Sequence, residues 1–177
     1  MTKRDERMLS TMSVTHTVID SPVGELTVVA DGGDLIGLYF AGQRRRPRGD
    51  ALGERTDTGF AEVARQLGEY FAGARTEFDL PLAPRGDEFD LRVWDLLRTI
   101  PYGETRSYGD LARQLGDPTL AQAVGAANGR NPLAVVVPCH RVVGADGSLT
   151  GYAGGLDRKR FLLELEEPAE IRAGRLF

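Results

Sequence analysis

The hydrophobic residues of this chain follow two different periods, and the period changes near the middle of the chain. Apolar and polar residues alternate in three runs, at residues 14–20, 25–30 and 35–40, and such alternation predicts β-strands. Ser-Pro-Val-Gly and Asp-Gly-Gly-Asp turn sequences separate the runs, so we expect an antiparallel three-stranded sheet. Apolar residues at helical spacing predict a helix over residues 58–71, and residues 76–82 favour a further extended segment.

Helical spacing dominates again after a linker, which we predict at residues 84–86. The apolar residues from Phe89 to Ile100 predict an amphipathic helix that ends at Pro101, with Trp94 in a packing role. The predicted fold class is therefore mixed α/β, of the α+β kind. We divide the chain into a disordered tail at 1–12, a supporting α/β domain at 13–84, a C-terminal domain at 85–167 and a second tail at 168–177.

Two short helices with clear cap signals follow in the C-terminal part. Ser107 and Asp110 have the spacing of a capping box, which predicts a helix through Leu115. Gly116 ends that helix, and an Asp-Pro pair starts a second helix that reaches Asn128. Two short helices joined by Leu-Gly-Asp-Pro form a candidate helix-turn-helix.

Composition limits the environment and the kind of site that the chain can hold. Its 177 residues are 41% hydrophobic, which is typical of a globular protein with an ordinary hydrophobic core. No apolar run approaches the roughly 20 residues that span a bilayer. The single cysteine excludes an internal disulfide and favours a reducing, cytoplasmic setting. One cysteine and two distant histidines do not make a structural zinc site, so we expect no metal.

The net charge of −4 is unusual for a protein that binds nucleic acid, but its distribution matters more than its sum. Residues 98–160 hold eight basic and five acidic side chains, a local charge of +3 that includes Arg130 and Arg141. That balance permits DNA contact with modest nonspecific affinity. A second basic run, Arg-Arg-Arg-Pro-Arg at residues 44–48, lies in a predicted loop, and for it we favour a solvated loop over a nucleic-acid patch.

The candidate chemistry lies at the only cysteine. An apolar run at residues 133–137 predicts a fully buried strand, which Pro138 stops. Cys139, His140 and Arg141 follow, so a thiol is adjacent to a titratable base and a cation. Because neighbouring side chains of extended chain face opposite ways, we expect a water to bridge the sulfur and His140 unless the chain turns sharply. A buried structural cysteine is the alternative.

The residues beyond this motif extend the pattern. An Asp-Gly pair at 146–147 predicts a hairpin turn, and the glycines from Gly151 onward allow close approach of backbone to a ligand. The sequence NPLAVVVPCHRVVGADGSLTGYAGGLDRKRFLLELE, with its PCHRV core and downstream GYAGG, closely resembles the active-site region of the O6-alkylguanine-DNA alkyltransferases, also called methylated-DNA–protein-cysteine methyltransferases. The resemblance covers residues 89–167 closely and the N-terminal part more loosely. It implies a ribonuclease-H-like N-terminal domain and a winged-helix-like C-terminal domain.

The resemblance also implies a function. The protein would extrude O6-alkylguanine from duplex DNA, because the alkyl group otherwise lies inside the base stack. Cys139 would attack the alkyl carbon and keep the group, so each molecule would act once, without a cofactor. Activity on O4-alkylthymine stays open, as does the preferred alkyl size. The expected partner is double-stranded DNA carrying alkylated guanine. We expect the protein to be a monomer that binds DNA either independently or cooperatively, and we expect no role for a membrane.

The resemblance assigns roles to further residues. His140 would take the thiol proton, and Glu166 would orient the imidazole; on a helix over residues 157–167, Glu166 also falls on the apolar side while Glu164 and Glu167 point away. Tyr108 would donate to the leaving guanine. Asn131 would tie the helix pair to the active-site segment. The base pocket would be formed by Val142, Tyr152, Ala153 and Gly154.

The second helix of the pair would enter the minor groove. Its surface is smooth at Ala121, Ala123 and Gly125, which cannot read bases in the major groove but can lie against a sugar–phosphate backbone. Packing of this helix in the core is the alternative. We assign Arg130 and Arg141 to DNA contact as well. Relatives usually carry an arginine that replaces the extruded base, and Gln122 stands at that position here.

Two other functions fit parts of the pattern. A nonreactive lesion-binding or regulatory DNA-binding protein would share the fold, although such relatives lack the cysteine that this chain has at residue 139. A cysteine hydrolase could use Cys139, His140 and Glu166 on acyl substrates, but it would need an oxyanion hole and would leave the helix-turn-helix unexplained.

Overall fold

The computed structural model describes residues 13–174, apart from the side chains of residues 172 and 173. The tail predicted at 1–12 lies outside the described residues. Within them no helix combines the length and the apolar character that crossing a membrane requires.

An antiparallel meander forms the N-terminal part, as the alternating runs predict. Strands β1 (Val14–Ile19), β2 (Leu26–Asp31) and β3 (Asp34–Phe40) pair in sequence, with a register shift between Val29 and Ala30. A two-residue strand, β4 (Glu54–Arg55), adds a parallel edge to β1, which the sequence pattern did not predict. The loop between β3 and β4 contains one 3₁₀ turn, Gly49–Leu52.

Both faces of this sheet are covered, which explains why five of the six residues of β2 are buried. Leu26 and Val28 face the main core, where helix α1 (Ala61–Phe71) presents Val63, Leu67 and Tyr70. The opposite face holds a small cluster of Val14, Val29 and Tyr39. The segment predicted to be extended at 76–82 forms only one bridge, between Leu35 and Leu82.

The C-terminal part is helical and carries the predicted pair. Helix α2 (Glu88–Leu97) starts at the side chain of Asp87, and helix α3 (Tyr108–Gln114) starts at a capping box in which Ser107 and Asp110 bond each other's backbone. A 3₁₀ turn, Pro118–Leu120, leads into helix α4 (Ala121–Gly129). The indole of Trp94 is buried and donates to the carbonyl of Ala127 at 2.9 Å, so Trp94 joins α2 to α4.

Two short strands and two further helices complete the described chain. Strands β5 (Arg106–Ser107) and β6 (Val142–Val143) pair in parallel and join the helix pair to the residues after Cys139. Helix α5 (Leu156–Leu165) then returns to the core, and helix α6 (Ala169–Gly174) occupies the segment predicted as a C-terminal tail.

The strand predicted at residues 133–137 is wrong, although the prediction of full burial is confirmed. Only Leu133 forms a bridge, to Leu38 of β3, and the chain then turns back on itself. Val135 has a φ of 71°, and the N–H of Val137 donates to the carbonyl of Leu133 at 2.9 Å. A short apolar run does not distinguish a strand from a buried turn, because both require the same burial.

This buried turn is attached to the N-terminal sheet. Leu38 of β3 donates to the carbonyl of Pro132 at 2.8 Å and accepts from the N–H of Ala134 at 3.2 Å. One hydrophobic core contains residues from both halves of the chain, including Leu38, Leu133 and Leu162. The sheet therefore fixes the segment that leads to Cys139.

Candidate active site

Cys139 begins a 3₁₀ turn, Cys139–Arg141, and is 5% exposed. It lines a small cavity of about 10 Å³, which has room for a single water molecule. Strand β3 and the loop after it, the end of α4, the buried turn and the segment before α5 all contribute to this pocket. Its lining consists of Phe40, Gln43, Asn128, Gly129, Asn131, Ala134, Cys139, Gly151, Tyr152, Ala153 and Gly154.

Asn131 holds the chain that precedes the cysteine. Its amide group donates to the carbonyl of Val137 at 2.9 Å, and its oxygen accepts from the N–H of Leu133 at 3.0 Å. These two bonds close the buried turn from inside. Asn131 is itself buried, so the two backbone groups that it bonds are satisfied inside the protein.

His140 and Glu166 form a buried pair. The Nε2 atom of His140 lies 2.7 Å from Oε2 of Glu166, and both side chains are almost completely buried. Glu166 caps the C-terminal end of α5, as the helical geometry predicted, whereas Glu164 is exposed. The sequence therefore correctly located the glutamate that faces inward.

Two further side chains hold the carboxylate of Glu166. The hydroxyl of Tyr70, from helix α1, donates to Oε2 at 2.5 Å. Arg141 donates to Oε1 through Nε at 2.6 Å and to Oε2 through Nη2 at 3.0 Å. Tyr70 was not predicted, because nothing in the spacing of an N-terminal helix indicates contact with a residue 96 positions later.

The assignment of Arg141 to DNA contact is wrong. The side chain is buried, and its Nη1 donates to the carbonyl of Ile100 at 2.7 Å while its other nitrogens bind Glu166. A guanidinium that is buried and held by Glu166 and the Ile100 carbonyl is not placed to reach a phosphate on the surface. The sequence gives the charge of this residue but not the direction in which it points.

The charges of the buried pair follow from these contacts. Burial alone would raise the pKa of Glu166, but the charges and hydrogen bonds of His140 and Arg141 outweigh it and lower the pKa to about 2. Burial lowers the pKa of His140, and Glu166 only partly opposes that effect. An ionised carboxylate only accepts hydrogen bonds, so Nε2 of the neutral imidazole carries the proton.

The tautomer leaves the other ring nitrogen as a base. Nδ1 of His140 is buried and has no hydrogen-bond partner among the described residues. In the tautomer fixed by Glu166, this atom presents a lone pair. It is therefore the atom of the imidazole that can accept a proton.

At rest Cys139 is a thiol. Burial raises its pKa, while the Asn131 side chain, the positive charge of Lys159 and the hydroxyl of Tyr152 oppose that rise. Lys159 is fully buried and donates to the carbonyls of Val142 at 2.6 Å and Thr150 at 3.1 Å. Lys159 was not predicted as a site residue, because a basic residue at the charged start of a helix is usually solvated.

The predicted base-pocket residues are only partly brought together. Tyr152, Ala153 and Gly154 line the cavity with Cys139. Val142 does not line it, and its carbonyl accepts from Lys159. The Asp-Gly pair forms the predicted turn, in which Gly144 donates to the carbonyl of Ser148 at 2.9 Å. The described residues beyond the turn form helices but no second strand.

Helix α4 presents the predicted smooth surface. Gln122 and Ala123 are exposed, and Ala121 and Gly125 are half-buried. Val124 and Ala127 face the core, so the helix packs on one side and is free on the other. Arg130 follows α4 and is partly exposed, although it bonds the buried carboxylate of Asp90.

Tyr108 lies between this helix and the pocket wall. Its ring is the nearest neighbour of Gly125, and its hydroxyl shares a hydrogen bond of 2.8 Å with Thr150. Thr150 immediately precedes the segment that lines the pocket. Tyr108 therefore links the helix-turn-helix to that segment.

The arrangement supports nucleophilic attack by a thiol and offers little else. A buried thiol, a neutral imidazole with one free lone pair and a fixed carboxylate can pass a proton and produce a thiolate when a substrate enters. Across residues 13–174, no group of three or more histidine, cysteine or acidic side chains is placed to hold a metal ion.

Known proteins resemble the chain over nearly its whole length. A family model described as the DNA-binding domain of 6-O-methylguanine DNA methyltransferase matches residues 88–168, and one described as its ribonuclease-like domain matches residues 14–84. The methylated-DNA–protein-cysteine methyltransferase of Mycolicibacterium paratuberculosis is 54% identical over 153 residues, which cover 86% of this chain and 92% of that protein. The protein of the same name from Mycobacterium bovis is 52% identical, over 88% of this chain and 96% of that one.

The chain is also similar to a solved structure. The crystal structure of Mycobacterium tuberculosis OGT in complex with DNA has a TM-score of 0.83 and 52% sequence identity. The match covers 86% of this chain and 92% of that one.

Proposed function

Because the chain belongs to the methylated-DNA–protein-cysteine methyltransferase family, we propose that its Cys139 is the residue that takes the alkyl group from O6-alkylguanine. Its activity is DNA repair by alkyl transfer, and DNA is its partner. The observation that carries the assignment of Cys139 is its position: the thiol lies in a pocket beside the end of helix α4, and its neighbour in the chain, His140, is paired with Glu166.

For the transfer, the thiol must lose its proton, and the alkyl carbon must exchange its bond to O6 for a bond to sulfur. The thiol proton passes to Nδ1 of His140, through a bridging water, and the sulfur attacks the alkyl carbon. A carbon–sulfur bond forms as the bond between that carbon and O6 breaks, and the electrons go to the guanine ring. Guanine leaves as an anion that then takes a proton from water, and we assign the hydroxyl of Tyr108 to donate a hydrogen bond to its developing negative charge. The imidazolium that forms meanwhile faces ionised Glu166.

The lesion must leave the helix to reach the sulfur. A cavity of about 10 Å³ does not hold a purine, so the segment that contains Tyr152, Ala153 and Gly154 moves when the base enters. The exposed face of α4 lies against the minor groove, where Gln122 takes the place of the extruded nucleotide. A helix surface that contacts the minor groove without reading bases is suited to a protein that must search DNA of any sequence.

The product determines the stoichiometry. The alkyl group remains on Cys139 as a thioether, which is a poor leaving group, so one protein molecule repairs one lesion. We propose that a monomer performs the reaction in the cytoplasm, where a free thiol stays reduced.

The test uses duplex DNA with a radiolabelled methyl group on O6 of one guanine. We expect one label per protein molecule on the wild-type chain and none on the Cys139→Ala variant, which should still bind the duplex. Label released through multiple turnovers, or binding by wild type without label, would contradict the proposal.

A further inference from the structure

Four arginines gather around a groove that the proposed reaction does not use. Arg44 and Arg45 come from the loop after β3, Arg85 from the segment before α2, and Arg130 from the end of α4. We call this the arginine groove. Its volume is about 260 Å³. The basic run at residues 44–48, for which the sequence favoured a solvated loop, thus supplies one wall of a defined cleft.

The positive charge of the arginine groove is only partly neutralised. Asp90 is the single acidic residue in its lining, and it is buried and accepts from Arg130 at 2.6 Å. Arg85 pairs with Asp31. Neither Arg44 nor Arg45 forms an ion pair or a hydrogen bond with the residues that the structure describes, and both are exposed. Two guanidinium groups therefore remain available to an anion.

The backbone of this loop is fixed in an uncommon conformation. Arg45 has a φ of 59°, in the left-handed region that residues other than glycine seldom adopt. The preceding Gln43 anchors the loop, because its side-chain oxygen accepts from the N–H of Phe40 at 2.9 Å and its own N–H donates to the Phe40 carbonyl at 3.2 Å. Both features hold the two free arginines at the end of β3.

The arginine groove adjoins the pocket of the nucleophile. Gln43, Gly129 and Asn131 line both cavities, so one wall separates them. A strand whose nucleotide has been extruded toward Cys139 has its next phosphates close to that wall. Arginine binds phosphate oxygens through two parallel N–H bonds, which makes a row of arginines a suitable contact for a phosphodiester backbone.

We propose that the arginine groove binds the sugar–phosphate backbone of the DNA strand next to the extruded nucleotide, with Arg44 and Arg45 as its phosphate contacts. This inference rests on the proposed function, since it presupposes that the lesion enters the Cys139 pocket. It adds to the contact made by α4 a second one, which comes from the N-terminal part of the chain.

The chain offers a matched control on the same loop. Arg46 donates to Thr27 on the sheet at 2.7 Å, and neither Arg46 nor Arg48 lines the groove. The Arg44→Ala/Arg45→Ala variant and the Arg46→Ala/Arg48→Ala variant therefore remove equal charge from neighbouring positions. Binding to a fluorescent duplex, measured by anisotropy from low to moderate salt, separates a local phosphate contact from net charge.

We expect the groove variant to bind about tenfold more weakly at 50 mM salt, with a salt slope shallower by roughly 1.8, because each lost phosphate contact removes about 0.9 from that slope. The control variant should bind within about twofold of wild type, with an unchanged slope. An Arg44→Lys/Arg45→Lys variant, which keeps the charge, should recover most of the slope. Equal losses in the groove and control variants, or no loss in either, would overturn the proposal.

Methyl transfer from the free O6-methylguanine base keeps the two proposals distinguishable. This reaction needs Cys139 but no phosphate contact, so the groove and control variants should both match the wild-type rate. If wild type itself transfers nothing from base or duplex, the proposed function fails. If wild type transfers and the groove variant keeps its full affinity and slope, only the arginine groove fails.

Discussion

Glu166 accepts hydrogen bonds from three side chains, and one of them is the imidazole of His140. Arg141 holds the carboxylate from the side, Tyr70 binds it from the N-terminal helix, and His140 donates Nε2–H to it. The contact with Glu166 therefore orients His140, while burial keeps the imidazole neutral at rest. The proposed base is ready before any substrate arrives, while the thiol stays protonated.

The rate of alkyl transfer should follow the protonation of His140. Because burial lowers the pKa of His140 below its ordinary value of 6.5, the neutral base persists through neutral and mildly acidic pH. We expect a rate that is flat from pH 8 to pH 6.5 and reaches half its maximum below pH 6.5. Single-turnover transfer from a methylated duplex, measured across this range, checks the prediction. A midpoint above pH 7 would show that His140 is not the base in this environment.

Tyr70 should tune that same group. In the Tyr70→Phe variant, Oε2 of Glu166 loses a donor and becomes a stronger acceptor for His140, so the His140 pKa and the acidic midpoint of the rate profile should rise. Loss of a buried hydrogen bond to a charged group should also reduce the free energy of unfolding by about 1–3 kcal/mol. The Tyr39→Phe variant, on the other face of the sheet, is the control and should leave the midpoint unchanged. If the midpoint is unchanged in both variants, Tyr70 does not tune His140 and has only a packing role.

At the scale of elements, local signals were sufficient where local chemistry decides the structure. The turn sequences between β1, β2 and β3, and the capping box of Ser107 and Asp110, predicted elements that the structure confirms. They succeed because a turn or a cap depends on residues only a few positions apart. The two-residue strand β4 has no such signal, since it exists only through pairing with β1.

Long-range contacts account for what the pattern could not predict. The run at 133–137 was predicted as a strand but closes on itself around Asn131, and Arg141 was placed on the surface but turns inward to Glu166. Arg141 depends on a partner 25 positions away. The turn is closed locally by Asn131 but is attached to Leu38 of the distant strand β3. Tyr70 and Lys159 joined the site for the same reason. The nucleophile and its base, in contrast, are adjacent in sequence and could be identified directly.

Helix α4, which we propose contacts DNA, provides a prediction of its own. Gln122 is exposed there and lacks the charge and the flat stacking surface of arginine. The Gln122→Arg variant should therefore bind duplex DNA more tightly, by roughly tenfold for one added phosphate or base contact, or repair it faster. Binding isotherms and single-turnover rates on one methylated duplex measure both effects. Equal affinity and equal rate for the two proteins would contradict the role assigned to this position.

At the scale of the whole molecule, the two halves of the chain share one core and one site. The sheet anchors the buried turn, helix α1 supplies Tyr70, and the loop after β3 lines the cysteine pocket. The N-terminal part was predicted to have a supporting role without site residues. The structure instead places its side chains in direct contact with the candidate catalytic carboxylate and beside the nucleophile.

Global stability should decline with acid because of the same buried pair. The folded-state pKa of His140 lies below 6.5, so His140 stabilises the fold above pH 6.5 and this contribution is lost as pH falls below that value. Glu166, with a folded pKa of about 2 against an ordinary 4.5, contributes above pH 4.5 and loses that contribution as pH falls toward 2. Chemical unfolding at pH 7.5, 6 and 5 should show a falling free energy. A free energy that stays constant between pH 7.5 and pH 5 would contradict a buried, neutral His140.

The most direct test of the account is the covalent fate of Cys139. Wild-type protein is mixed with a duplex that carries one O6-methylguanine, and intact and peptide masses are then measured by mass spectrometry. We predict that the mass of each molecule increases once, by one methylene unit located on Cys139, and that a second portion of substrate adds nothing. A protein that removes the methyl group while Cys139 stays unmodified, or that continues to turn over, would contradict it.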